Sequence, residues 1–529
     1  MITLTSERQG ETKRMRDMAR ALFSFCVPLA LIAGCRPANS TEVTHRAEMT
    51  KRIYSSDEEL LRGELARFRT SIDPGVGSSI YTAYNIGYPL ARAILSAGQA
   101  ETKRALVAHA AGLIESLPTL GTLMDDYPAS GLSGSLGSVS STLGEVGQRI
   151  SPQARFDGLP LPRENGLRDV QIFPLEGADT LEINTGNIQQ FGHYLSTVLR
   201  LGVQDEDVLS SSQAREDLRK IADYLVDDYL RFFWLEAPAW HWTGAFEGGV
   251  RARTIARLED DPAFAARDFF RAFLDYDLHV LAVAADVRGA RADGELDLRL
   301  SREDVALLDD LRAIAWRVLE QRVSKSEQGF GFDRGLWDDN PVADYGGCQS
   351  NSLPEAKCPI HDYTADISHA QRWPAWLDSF AAGEPSAARR ARMARWREAF
   401  ADRVAQNIKY DGEHVLLPNF LDGRDGWMLT TGSQGGNGAH PPSSMTGWAM
   451  RYGMVARIAE YDTRLAKAQR RFCATIVSRA EGDIAFRTRN YGEPEANPAN
   501  GIRPLTDEYG LGSIYDHICR MEELASGAA

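Results

Sequence analysis

The feature that most constrains the fold is a helical hydrophobic period, which recurs along most of the chain from about residue 57 onward. Apolar side chains three and four residues apart line one face of 218–229 and one face of 307–318. Ser301 and Asp304, just ahead of the second face, have the spacing of a capping box. We predict further helices over 57–71, 86–98, 102–116, 187–201, 263–284, 386–408, 445–460, 462–480 and 511–524.

No comparable series of alternating strands occurs, so the sequence predicts a mostly α fold with little β-structure. Short β pairs are expected near 415–419 and 484–489. Long loops, most of them rich in Gly, Trp, Tyr, Asp and Asn, separate the helices, and loops of such length are usually functional or disordered. The Gly/Ser-rich part of 119–167 favours a flexible, loop-rich insertion there.

Composition excludes several classes of protein. With 43% hydrophobic and 25% charged residues the chain is typical of globular proteins. This composition excludes fibrous and low-complexity proteins. The net charge of -14 repels phosphate backbones, and we therefore expect no nucleic-acid partner.

The N-terminus has the pattern of an export signal. A cluster of arginines, Arg14 to Arg20, precedes an apolar run over 21–33 that is too short to span a bilayer. The run ends in Ile32-Ala33-Gly34-Cys35, which resembles the lipobox of bacterial lipoproteins. Met15 and Met18 are alternative translation starts to Met1.

The lipobox resemblance implies a signal peptide over 1–34 and a lipid on Cys35, followed by a polar tether over 35–50. It places the protein in the cell envelope, anchored to a membrane through the lipid. Because Arg36 and not Asp follows the cysteine, similarity to enteric lipoproteins favours the outer membrane.

Cysteine usage is consistent with export. An even set of four cysteines remains beyond Cys35, and in an oxidising compartment such a set suggests disulfides. We predict Cys348–Cys358, which closes a short polar loop, and Cys473–Cys519, which joins two predicted helices. The spacing fits no zinc site.

Many helices, long aromatic loops and an export signal together resemble the α/α-toroid of many polysaccharide lyases and glycosidases. This architecture is an incomplete ring of helical hairpins with functional loops at one end, and here it would occupy 51–529. The resemblance rests on architecture more than on residues. It implies a glycan substrate.

The densest group of chemically active residues is the segment 361–374. Tyr363, Asp366, His369 and Arg372 place a phenol, a carboxylate, an imidazole and a guanidinium within one loop and the start of the next helix, and Trp373 follows. We interpret the first four as catalytic candidates and the tryptophan as a substrate-binding candidate. The alternative is that Asp366 simply caps the helix.

Other candidates lie on separate loops. Glu247 is a catalytic candidate, and aromatic rings beside it can stack on sugar faces. The substrate-binding candidates, each of which also has a plain structural interpretation, are Trp240, His241, Trp242, Asn187, His193, Trp337 and Tyr345. The Gly-rich loop that ends at His440 is not a phosphate loop.

No cofactor is expected. Calcium at Asp338, Asp339 and Asn340 is a minor alternative, because the spacing lacks the alternating oxygen ligands of an EF-hand.

Three functions stay open from the sequence. In a lyase acting by β-elimination, Arg372 would neutralise a uronate, His369 would be the base and Tyr363 the acid. A glycoside hydrolase would instead need two carboxyl groups that flank the bond. A lipoprotein that binds a glycan or another partner without catalysis is the third. The sequence favours the lyase narrowly, and it does not specify the glycan or the oligomeric state.

Overall fold

Helices dominate the computed structural model of the protein. The described residues belong to the unit that begins at Lys51, and residues 1–50 lie outside them. The structure describes residues 56–72, 78–119, 155–156, 159–160, 175–177, 180–183, 185–236, 239–241, 244–246, 249–259, 275–326, 329–332, 344–350, 352, 355–360, 365–429, 439–451, 453–478, 480–491, 519–521 and 524.

The helices follow the hydrophobic period of the sequence, and a π-helix continues α6 over Tyr224–Glu236. A 3₁₀-helix, Ala456–Tyr461, follows α13. The α-helices are α1 (Asp57–Ser71), α2 (Ser78–Ala97), α3 (Ala100–Glu115), α4 (Thr185–Gly202), α5 (Glu206–Leu209), α6 (Ser212–Asp223), α7 (Gly249–Leu258), α8 (Asp275–Ala292), α9 (Arg302–Arg322), α10 (Ile367–Ala370), α11 (Trp373–Gly383), α12 (Ala387–Asn407), α13 (Thr446–Arg451), α14 (Thr463–Val477) and α15 (Glu481–Asn490).

The strands are short and lie in the connections. Strands β1 to β4 form one small sheet in the order β2-β1-β4-β3, and the others pair as antiparallel hairpins, except β11 and β12, which pair across a longer loop. Their bounds are β1 (Arg155–Phe156), β2 (Leu159–Pro160), β3 (Leu175–Gly177), β4 (Thr180–Ile183), β5 (Ala239–His241), β6 (Gly244–Phe246), β7 (Val323–Ser326), β8 (Gly329–Phe332), β9 (Lys409–Asp411), β10 (His414–Leu416), β11 (Met428–Leu429) and β12 (Ala439–His440).

Helices α4, α8 and α11 pack side by side and run in the same direction. On α4 and α8, His193 contacts His279, and two turns further along Arg200 contacts Asp286. At the start of α11, Arg372 reaches Gln190 of α4, and two turns further along Ser379 reaches His193. Three long helices that share a direction need return segments, and the intervening helices supply them.

Helix α2 extends this row on the other side of α4. The ring of Tyr84 stacks on His193, and Lys103, in the first turn of α3, binds Asp205, which caps α5 after the end of α4. The two helices therefore also run in the same direction.

Helix α6 and the π-helix that follows it run antiparallel to α4. In α6, Leu218 lies against Gly202 at the end of α4, and the π-helix that follows brings Tyr229 to Gln189 near the start of α4. The hairpin of β5 and β6 comes directly after the π-helix, so it lies toward the end of the row at which α4 begins.

The prediction of a mostly α fold is confirmed. The capping box at Ser301 and Asp304 is present at the start of α9. Helix α8 begins at Asp275, and 263–274 lie outside the described residues, as do most of 511–524. A pair near 415–419 is present as β9 and β10.

The β pair predicted at 484–489 is wrong, because these residues belong to α15. The alternation of Ile484 and Phe486 resembles a strand, but Arg487 on the same helix binds the free carbonyl groups of Thr475 and Ile476 at the end of α14. This tertiary contact stabilises α15 as a helix. It also gives hydrogen-bond donors to carbonyl groups at the end of α14 that have no partner within that helix.

Both predicted disulfides are confirmed. Cys348–Cys358 joins Cα atoms 5.5 Å apart, and Cys473–Cys519 joins Cα atoms 5.9 Å apart. None of the described helices has the length and apolar character of a membrane span.

Candidate functional site

A buried carboxylate orients a partly exposed imidazole at the start of α10. Asp366 caps this helix by accepting a hydrogen bond from the backbone N–H of His369 at 3.0 Å. Its carboxylate is 2% exposed and also accepts from His369 Nδ1 at 2.7 Å, whereas the His369 side chain is 41% exposed. Because Nδ1 carries the proton that Asp366 accepts, Nε2 is left as the basic nitrogen. This arrangement can remove a proton from a substrate.

Asn419 joins the segments around this pair. Its backbone carbonyl accepts from Ile367 N at 2.8 Å, so the 419 segment lies directly against the start of α10. Its fully buried side chain donates to the carbonyls of Gly426 and Pro441, and its Oδ1 accepts from Met445 N. One amide therefore holds together pieces of chain that lie far apart in the sequence.

Asp425 provides a second connection in the same place. Its carboxylate accepts from the backbone N–H groups of Asn419 and Ser443, and from the Ser443 hydroxyl. Ser443 has a φ of 62°, in the left-handed region that non-glycine residues rarely adopt. The bonds to Asp425 stabilise that conformation.

The disulfide loop packs against this cluster. The Tyr345 carbonyl accepts from Trp427 N at 3.1 Å, and Trp427 Nε1 donates to the Ser350 carbonyl. A Cβ atom at Gly426 would lie 1.7 Å from the Gly346 carbonyl oxygen, so the two loops meet at a position that only glycine can occupy. The predicted candidate Tyr345, half-buried, thus lies on a loop that contacts the Asn419 cluster.

His440 was not assigned a role from the sequence, but the structure brings it close to the pair. Its carbonyl accepts from the Asn419 amide, and its ring is edge-on to Trp448. Burial lowers the pKa of His440, and the Asp366 carboxylate opposes that shift in part. A neutral imidazole offers one N–H donor and one acceptor to a hydroxyl group.

Arg372 is 3% exposed and points inward from the start of α11. Its Nη2 donates to Gln190 Oε1 on α4 at 3.4 Å, so it connects the His369 segment to the row of parallel helices. His369 and Arg372 do not share one continuous helix, because α10 ends at Ala370 and Arg372 caps α11.

His193 and Trp373 are buried in packing. His193 is 0% exposed and lies between Tyr84, His279 and Ser379, and burial lowers its pKa to about 3. The Trp373 ring packs against Phe330, Phe332 and Trp376 in the hydrophobic core.

The remaining candidates are placed by their backbone or lie outside the described residues. Trp240 and His241 lie on β5, and Asn187 lies in the first turn of α4. Both elements are at the end of the helical row that Gln190 and Arg372 occupy. The candidates outside the described residues are Cys35, Trp242, Glu247, Trp337, Asp338, Asp339, Asn340 and Tyr363.

The part of the chain that the structure describes contains no group of three or more His, Cys, Asp or Glu side chains suited to a metal ion. Within the same residues, the two carboxylates at the cluster, Asp366 and Asp425, both accept several hydrogen bonds from the protein.

No family model, curated protein or solved structure matched this chain.

Proposed function

We propose that the protein is a carbohydrate-active enzyme that cleaves a uronate-containing glycan by β-elimination. The observation that supports this proposal best is the Asp366–His369 pair, in which a buried carboxylate orients an imidazole that solvent can reach. A catalytic base needs this combination of fixed orientation and access.

In the proposed reaction His369 Nε2 removes the proton on the carbon next to the uronate carboxyl group. The electrons form a carbon–carbon double bond as the bond to the glycosidic oxygen breaks, and an acid protonates that oxygen. Tyr363 is the acid proposed from the sequence. Arg372 is the cation proposed from the sequence, and its positive charge would stabilise the uronate carboxylate as negative charge builds up on it.

Hydrolysis would need two carboxyl groups that face the glycosidic bond. Asp366 and Asp425 both accept hydrogen bonds from protein donors. The described residues at the cluster therefore offer a base for elimination but no pair of free carboxyl groups for hydrolysis. A glycoside hydrolase that uses Glu247 is the second candidate function. The reaction product distinguishes a hydrolase from a lyase.

The scaffold of this proposal is an incomplete α/α-toroid. Its support is the row of parallel helices α2, α4, α8 and α11, with α6 and the π-helix antiparallel to α4. Arg457, in the 3₁₀-helix, stacks on Tyr88 of α2, which links the last helices back to the first. In such a ring the site lies at the end where several inner helices begin.

The proposed reaction forms a product with a carbon–carbon double bond, so ultraviolet absorbance tests for it. Incubation of the mature protein with acidic polysaccharides is expected to produce the ultraviolet absorbance of an unsaturated uronate. Reducing ends that appear without this absorbance would indicate the hydrolase. An absence of new chain ends across acidic and neutral glycans would contradict both enzymes and favour a binding protein.

We also propose that the protein is a lipoprotein of the outer membrane, anchored through Cys35. The two disulfides support export, because such bonds persist in oxidising compartments and are rare in the cytosol. Growth with a radiolabelled fatty acid is expected to label the parent protein and not a Cys35→Ala variant. Cys26→Ala is the matched control, since Cys26 lies within the predicted signal peptide. Equal labelling of the Cys35→Ala variant would contradict the anchor.

A further inference from the structure

Helix α13 presents one half-buried tryptophan to solvent. Of its described residues, 446–450, all but Trp448 are buried. Thr446 donates to the Leu417 carbonyl, and Gly447 lies against the backbone of Tyr491, so the rest of the helix is packed into the protein. A single partly exposed apolar ring is common on protein surfaces, and its neighbours therefore decide what it can bind.

The first neighbour of α13 is the short helix that carries the proposed base. Helices α10 and α13 pack against each other. Asn419 fixes this arrangement, because its backbone carbonyl accepts from Ile367 N and its Oδ1 accepts from Met445 N, one residue ahead of α13. The side chain of His369, which is 41% exposed, belongs to α10. Two rings that solvent can reach thus belong to helices that one amide holds together.

The second neighbour is the half-buried imidazole of His440. Its ring is edge-on to Trp448, with the ring centroids 6.4 Å apart. Burial lowers the pKa of His440 below 6.5 although the Asp366 carboxylate opposes the shift, so the ring is neutral at pH 7. No described residue hydrogen-bonds to its ring nitrogens. His440 therefore brings one N–H donor and one acceptor to a position within reach of both Asp366 and Trp448.

An indole face beside a neutral donor and acceptor fits a sugar ring. One face of a pyranose is lined by C–H groups, which pack on an aromatic ring, while the hydroxyl groups at its edge both donate and accept hydrogen bonds. A protein partner would need a larger apolar surface than one ring on an otherwise buried helix provides.

We propose that Trp448 and His440 form the subsite that holds the sugar next to the cleaved bond. Trp448 stacks on the apolar face of that sugar, and His440 hydrogen-bonds to one of its hydroxyl groups. This inference rests on the proposed function, and it assigns glycan recognition to α13 and β12. Both side chains bind the substrate and take no proton in the reaction.

A Trp448→Ala variant tests the stacking contact. We place it in a His369→Ala background, so that binding is measured without turnover, and use trigalacturonate, trimannuronate and a hyaluronan tetrasaccharide as probes in titration calorimetry. Affinity for the probe that binds is expected to fall about 10-fold or more, because the apolar face of the sugar stays in water. Trp448→Phe keeps an aromatic face and is expected to retain most of the affinity.

A His440→Ala variant in the same background gives an independent measurement at a half-buried position. Affinity is expected to fall about 3- to 10-fold, the effect of one neutral hydrogen bond. Urea unfolding of each variant reports its stability, so that a loss of binding is separated from a loss of folded protein.

Trp316→Ala is the matched control, since Trp316 is also half-buried. Its ring lies under Arg389 and lines a cleft with Gly383 and Glu384, at the end of α11 opposite to Arg372. This variant is expected to bind like the background protein.

Unchanged affinity in Trp448→Ala would overturn the inference, as would an equal loss in Trp316→Ala or a background protein that binds none of the three probes. The proposed function is judged separately, from the ultraviolet absorbance that the parent protein produces.

Discussion

A His369→Ala variant is expected to lose about 10³-fold in turnover of the glycan, within the range for removal of a positioned general base. The side chain is partly exposed and its ring contacts come mainly from Asp366 and Ser368, so the fold should persist. Initial rates of ultraviolet absorbance give the measurement, and thermal unfolding gives the check on stability.

Two further variants separate catalysis from structure. Asp366→Asn keeps the size of the orienting group but removes its charge and its hold on the tautomer, and a loss approaching the about 10³-fold of His369→Ala is expected. His414 forms a similar pair with Asp483, at 2.7 Å, and its ring stacks on Phe486, so both of its partners lie on α15. His414→Ala should therefore keep parent turnover. If His369→Ala retained parent turnover as well, His369 would not be the base.

An Asp286→Ala variant is expected to lower the free energy of unfolding by about 3–5 kcal/mol. Asp286 is fully buried and accepts from Arg200 Nε at 2.7 Å and from the Ser196 hydroxyl at 2.8 Å. Removing the carboxylate leaves the guanidinium between α4 and α8 without its opposite charge. Urea unfolding followed by circular dichroism measures the change.

The double variant Arg200→Met, Asp286→Leu is the control for this prediction. It removes both charges and fills the space with apolar groups, which is often close to neutral for a buried pair. Ser196 keeps the His193 carbonyl as an acceptor, and Ser379 keeps His193 Nε2. The double variant should recover most of the lost stability. A single variant within 1 kcal/mol of the parent would mean that water already screens the pair.

Local features of the fold could be predicted from the sequence because their causes are local. The capping box at Ser301 and the role of Asp366 as a cap both depend on side chains that bond a backbone group three residues away. The Cys348–Cys358 pair was predictable for the same reason, since a short loop brings the two residues together.

The connections that build the site could not be predicted in this way. Asn419 bonds backbone groups at 367, 426, 441 and 445, and the sequence carries no sign of which loops meet. His440 was visible as a histidine in a Gly-rich loop, but its position near Asp366 depends on the Asn419 contacts.

The buried polar side chains of α8 could not be predicted for a different reason. His279 and Asp286 lie on a helix whose neighbouring residues are almost all apolar, and a hydrophobic period locates a buried face without showing which polar groups it includes. Only the contacts with α4 and α11 show that these side chains complement each other.

The Cys473–Cys519 bond has a consequence for proteolysis. It joins α14 to a residue 46 positions later, across a stretch that includes α15. A protease that cuts once within this stretch breaks the backbone, yet the C-terminal fragment stays covalently attached. Cleavage there releases a peptide only after the disulfide is reduced.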